Sequence, residues 1–197
     1  MRITSLGMGG VLAVLASFAT AQTGPSLPPW APPSAVPAAD VAQLLEFLSS
    51  ADPGTRASGA WQLAQIKEPQ REVVATLEAH RTDPDRSVRY AVAWALGHYP
   101  GSGKQKGAQH EKPAQPKRIT RPIYPDAAYR AKVEGMVVLT ILIGEDGEVA
   151  YAEVAQSIPA LDGAALACVR QWRFDPMRVG GRPQPTVSHA PVVFRIY

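Results

Sequence analysis

The sequence predicts an α+β chain: a three-stranded antiparallel sheet with two helices, preceded by a small all-α repeat unit. Three observations carry this. Residues 135–143, GMVVLTILI, are rich in β-branched side chains, and a second strand, 148–155, follows the turn GEDG. Residues 56–64, RASGAWQLA, recur as RYAVAWALG at 89–97, a spacing of 33. Between and before these units the composition shifts abruptly to proline, glycine and lysine.

Bulk properties narrow the function classes. The 197 residues suffice for one ordinary domain or two small ones. A formal charge of +3 is too small to argue for nucleic acid. With a single cysteine, no disulfide closes within the chain and no cysteine metal site forms.

Residues 1–21 read as a secretory leader. Arg2 is the positive end, Leu6 to Phe18 the apolar run, and Ala19-Thr20-Ala21 a small-x-small cleavage signal before Gln22. Cleavage between Ala21 and Gln22 is expected. The alternative is an uncleaved anchor, since Ile3 to Ala21 approaches the ~20 apolar residues that span a bilayer. Either reading places the rest of the chain outside the cytoplasm. Residues 22–39 hold six prolines and no charge, and form an extended spacer.

Residues 40–99 carry helical periodicity: Val41, Leu44, Leu45 and Leu48, then Val73, Val74 and Leu77. Asp40, Asp52 and Asp83 are the expected N-caps, with Pro53 and Pro84 at first helical positions. Four short helices in two hairpins follow. Within the repeat, Arg56 matches Arg89, Ala60 matches Ala93, Trp61 matches Trp94 and Leu63 matches Leu96, whereas the two Asp-Pro pairs stand 31 apart. The alanines permit close helix approach and each tryptophan fills the space between hairpins. The segment resembles HEAT repeats of the PBS-lyase type. Two copies fall short of the ~3 that a solenoid usually needs, so the unit is marginal alone or docks on a partner; a plain four-helix bundle is the alternative.

Residues 100–118 form a second linker, in which Lys104, Lys106, Lys112, Lys117 and Arg118 face only Glu111. Such a run is a solvated tether or a weak attractor of an anionic surface.

Residues 119–197 are mixed. Asp126 to Lys132 reads as a short helix, Pro159 to Trp172 as a longer one with Leu161, Ala165, Cys168 and Trp172 on one face, GGRP (180–183) as a turn, and Thr186 to Ile196 as a last strand. Helices on one face of a three-stranded sheet are expected. Asp146-Gly147 signals a two-residue type I′ hairpin, pairing Leu139 with Val154, Ile141 with Ala152 and Ile143 with Ala150, and placing Glu153 opposite Thr140. A calcium loop fails here, because Leu142 and Gly144 offer no side-chain oxygen where the first and third ligands belong. Pro191 cannot donate to a ladder, so the last strand is expected at an edge.

This segment resembles the C-terminal domain of the TonB family of energy transducers. The resemblance rests on YPDAAYRAKVEGMVVLTILIGEDGEV, LDGAALACVRQWRFDP and PVVFRIY in that order. Its motif positions are Tyr124, Pro125, Gly135, Gly147, Leu161, Trp172, Phe174 and Pro176. What it implies is a periplasmic domain that adds an extended segment of an outer-membrane TonB-dependent transporter, or of another envelope protein, to an open sheet edge. The expected recruiting edge is Val187, Ser188, His189, Ala190, Val192, Val193, Phe194 and Arg195. Inner-membrane proton-channel proteins are further partners if the leader is retained. A sheet of this kind is also compatible with a homodimer, which would cover the edge. The chain departs from the family in its cleavable leader, its short tether, ~65 Å at full extension, and its helical repeats. A secreted scaffold that transmits no energy is therefore the alternative.

Enzymatic chemistry is not expected, nor any cofactor. His80, His98, His110 and His189 lack metal-ligand spacing. Ser188 and His189 are strand neighbours whose side chains point to opposite faces. Cys168 reads as a small buried hydrophobe, and Gly180-Gly181 lacks the context of a phosphate loop.

Overall fold

The computed structural model describes residues 40–99 and 110–196. The leader with Ala21 and Gln22, the first spacer and residues 100–109 lie outside the described residues.

Four α-helices build the first unit: α1 Val41–Leu48, α2 Pro53–Leu63, α3 Arg71–Ala79 and α4 Arg86–His98. α1 and α2 begin where the Asp40 and Asp52 carboxylates accept from the Gln43 and Thr55 amides at 2.8 and 2.7 Å, satisfying N–H groups that have no partner inside the helix. The expected cap of α4 needs correction. Asp85, not Asp83, accepts from Ser87 and Val88 at its start, and Pro84 lies outside the helix. Asp83 instead receives the Arg56 guanidinium. Leu48, Ala60, Leu63, Leu77, Val88 and Leu96 form the shared core, and Trp61 and Trp94 stack with centroids 5.8 Å apart and planes at 15°.

The second unit contains β1 His110–Lys112, β2 Gln115–Arg118, α5 Asp126–Arg130, β3 Gly135–Ile143, β4 Val149–Gln156, α6 Asp162–Val169, β5 Arg173–Asp175, β6 Met177–Val179, β7 Arg182–Gln184 and β8 Thr186–Phe194. Its main sheet is antiparallel in the order β4-β3-β8. Two small ribbons, β2-β5 and β1-β6-β7, were not expected. They recruit residues 110–112 and 115–118, so the end of the expected linker is structured.

The β3-β4 register matches expectation at Leu139↔Val154, Thr140↔Glu153 and Ile141↔Ala152, but a bulge pairs Ile143 with Val149 rather than Ala150. The turn is also different. The Gly147 amide donates to the Gly144 carbonyl at 3.0 Å, the Gly144 amide to Glu148 at 2.8 Å, and Gly147 has φ +79°. Among described non-glycine residues only Lys132 has positive φ, so Asp146 is not in a type I′ conformation. The loop is a type I turn closed by a glycine bulge.

The two sheet faces have different covers. Val137, Leu139, Ile141, Ile143, Ala190, Val192 and Phe194 pack with Leu161, Ala165, Cys168 and Val169 around α6. On the other face Leu142 belongs to the core of the helical unit, with Ala150, Tyr151 and Val187 packed against it. The unit's own helices, α5 and α6, share one face as expected, and α4 of the helical unit covers part of the second face, which was not expected. That accounts for the burial of seven consecutive residues, Tyr90 to Leu96, since a helix packed on all sides cannot keep a polar stripe.

Candidate functional site

β8 pairs with β3 without a bulge, from Gly135↔Phe194 to Ile143↔Thr186, and it has no strand partner on its other side among the described residues. Pro191, opposite Val138, sets the orientation of that edge. Proline has no N–H, so an unbroken ladder places its nitrogen away from β3. Strand alternation gives Val187, His189 and Val193 the same outward orientation. The Gly144 amide bonding to Glu148 agrees, since it directs the even-numbered positions on β3 toward β4. The outer edge therefore carries amides at Val187, His189 and Val193, interrupted at Pro191.

Side chains of the expected edge residues divide by face. Ala190, Val192 and Phe194 belong to the core, Val187 and Ser188 are partly buried, and His189, Val193 and Arg195 are exposed. Two grooves border the strand. One, of about 460 Å³, is lined by Ile119, Thr120, Trp172, Phe174, His189 and Val192 among others. The second, of about 690 Å³, is lined by Tyr124, Phe194 and Arg195. Arg121, Pro122 and Val193 line both.

The far wall of the first groove, residues 114–122, is held in place by several bonds. The Trp172 Nε1 and the Cys168 Sγ both donate to the Thr120 carbonyl at 3.2 Å, and the Thr120 hydroxyl donates to the Cys168 carbonyl at 3.4 Å. Upstream, Pro116 of β2 pairs with Phe174 of β5. Trp172 and Phe174 thus position the wall as well as filling the core. Tyr124 donates to the Val133 carbonyl and meets the Phe194 ring edge-on at 5.4 Å. Pro125 stands at the N-cap of α5, and Leu161, fully buried, immediately precedes α6. Gly135 and Gly147 have φ of +148° and +79°; a Cβ at Gly147 would sit 1.9 Å from the Phe174 carbonyl oxygen, with Pro176 alongside.

The wall residues Ile119 to Pro122 are absent from the sequence-based site. They carry no periodicity, and only their distant contact with α6 and β5 places them here. Among the described residues no group of three or more His, Cys, Asp or Glu side chains could hold a metal ion, and none of the helices there is long and apolar enough to cross a membrane. What the arrangement offers is a row of backbone donors and acceptors beside two grooves, the first largely apolar, with Arg121 on both and Arg195 on the second.

A small antiparallel sheet whose outer strands, β4 and β8, each lack a second strand partner among the described residues is joined here to paired helices. Comparison with known proteins names both parts. Residues 120–196 match the family model described as Gram-negative bacterial TonB protein C-terminal, and residues 41–110 match HEAT repeats. The C-terminal unit is thus similar to TonB C-terminal domains and the helical unit to HEAT repeats. Protein TonB of Xanthomonas campestris pv. campestris strain B100 is 34% identical over 82 residues, 41% of this chain and 37% of that protein. Protein TonB of Pseudomonas aeruginosa PAO1 is 29% identical over 83 residues, 41% of this chain and 24% of that protein. Protein TonB of Vibrio cholerae N16961 is 31% identical over 88 residues, 44% of this chain and 36% of that protein. The chain thus spans about a quarter to a third of the length of these relatives. The solution structure of the Pseudomonas aeruginosa TonB C-terminal domain aligns with 46% of this chain and 93% of its own, at 27% identity and a TM-score of 0.38.

Proposed function

We propose that β8 receives an extended segment of an outer-membrane transporter by β-augmentation, in the periplasm of a Gram-negative bacterium. The supporting observation is the bare outer edge of β8 beside its grooves. Hydrogen bonds to the Val187, His189 and Val193 backbone would supply affinity, and the first groove would select apolar side chains at alternate positions. Arg121 and Arg195 on the second groove favour a neutral or acidic segment over a basic one. Calorimetric titration of the intact protein with peptides from the N-terminal segments of the same organism's outer-membrane transporters tests this. Saturable binding of one peptide per chain supports it, and no binding by any peptide overturns it.

A second reading keeps the binding but removes energy transmission, leaving a periplasmic adaptor. The HEAT-like helical unit favours it. Mass spectrometry of the native N-terminus separates the two: an intact leader in the membrane fraction assigns transduction, and a mature start at Gln22 assigns the adaptor.

A further inference from the structure

In the helical unit, the arginine of one repeat holds the start of the next. The Arg56 Nε and Nη2 donate to the two Asp83 carboxylate oxygens at 2.9 and 3.0 Å. Its Nη1 donates to the Ser50 and Ala51 carbonyls, both at 2.9 Å. Arg89, one repeat later, makes the same set. Its Nη1 donates to the Asp83 and Pro84 carbonyls at 2.7 and 2.9 Å, the positions equivalent to Ser50 and Ala51. Its Nε and Nη2 donate to a carboxylate at 2.6 and 3.0 Å. That carboxylate is Glu145, in the β3-β4 turn, and it stands where a third repeat would present its aspartate.

The aromatic ladder ends the same way. Trp61 and Trp94 stack in register, and Tyr151 of β4 meets both edge-on, at 5.5 and 4.7 Å. The Tyr90 hydroxyl accepts from the Glu145 amide at 3.3 Å, and Gly144 permits that approach, since a Cβ there would lie 2.4 Å from the same hydroxyl. Beneath these polar contacts Leu142, wholly inaccessible, completes the helical core.

We infer that the sheet acts as the third repeat of the helical solenoid. Glu145 replaces the next repeat's aspartate, Tyr151 closes the tryptophan stack, and Leu142 fills the open end of the core. Two repeats, too few to stand alone, are thereby capped within the chain. The role this gives the HEAT-like unit is internal: it is the fixed outer layer of the sheet, and its C-terminal end is closed to other proteins. The interface does not depend on whether β8 binds a peptide.

Equilibrium unfolding of the intact protein tests this. Backbone amide signals of α1 to α4 report on the helices, and those of β3 and β4 on the sheet, both by NMR. A single shared transition is expected. Glu145→Ala should lower the thermal midpoint by about 5 °C, and the same substitution in an Arg89→Ala background should lower it by far less, because the partner is already gone. Two separated transitions in the unaltered protein, or additive effects of the two substitutions, overturn the inference. If Arg89→Ala does not fold, hydrogen exchange of Leu142 and Tyr151 in Glu145→Ala decides: faster exchange there supports the cap, and unchanged exchange overturns it.

Discussion

Gly97 of α4 lies directly against Val187 of β8: a Cβ placed on Gly97 would sit 2.4 Å from the Val187 Cβ. The helix reaches the edge strand there only because the glycine has no side chain. Gly97→Val should therefore separate α4 from β8 and destabilise the protein by about 1–3 kcal/mol, the usual cost of overpacking. Denaturation in urea measures this. A stability equal to that of the unaltered protein would show that the approach is looser than described.

The hairpin turn gives a second prediction. Gly147 holds φ +79°, and its carbonyl accepts from the Phe174 amide at 2.8 Å. Gly147→Ala combines left-handed strain with a clash against the Phe174 carbonyl oxygen. The expected loss is roughly 2 kcal/mol or more, with Asp146→Ala losing less, since the Asp146–Arg86 ion pair is largely exposed. Comparing their urea midpoints checks the order.

His98 makes the interface depend on pH. Its Nδ1 lies 2.9 Å from the Trp94 carbonyl and its Nε2 3.0 Å from the Glu153 carboxylate. Both partners are acceptors, so both bonds require the imidazolium. The hydrogen bond to Glu153 raises the His98 pKa above 6.5, opposed by burial. A raised folded value means stability that is complete below the unfolded pKa of ~6.5 and is lost as pH rises through the folded one. Urea midpoints should thus fall across that window, and His98→Gln should flatten the fall. An identical pH profile in the variant would remove His98 from the account.

Leu142 supplies the fourth. It is fully buried, yet it projects from the face opposite α6, into the helical core. Leu142→Ala should cost about 2–5 kcal/mol, the range for a buried leucine. A loss below 1 kcal/mol, read from urea denaturation, would mean that this face is not packed.

Much of this fold was visible in the sequence because its signals are local. Periodicity located the four helices, β-branched runs located β3 and β4, and Pro191 marked β8 as an edge. The repeat misled at one point. The Asp-Pro pairs stand 31 apart, but the true equivalents, Asp52 and Asp85, stand 33 apart, like the arginines and tryptophans. Asp83 is free of capping because Arg56 needs it. The docking of helix on sheet was hidden, since the sequence places Glu145 and Asp146 in a turn and Glu153 opposite Thr140, and only the tertiary structure sets Arg89, Arg86 and His98 beside them. One signal was present: the unbroken apolar run from Tyr90 to Leu96 is what a helix covered on every side requires. Short polar strands such as β2, QPKR, carry no such signal, so the groove wall beside β8 could emerge only from tertiary contacts.

Amide hydrogen exchange along β8, residue by residue, tests the recruiting edge most directly. Ser188, Ala190 and Val192 face β3 and should exchange slowly with or without a transporter-derived peptide. Val187, His189 and Val193 face outward and should slow by at least about tenfold when a saturating peptide adds a strand there. Binding that leaves those three amides unprotected, or that protects only residues away from β8, would contradict β-augmentation at this edge.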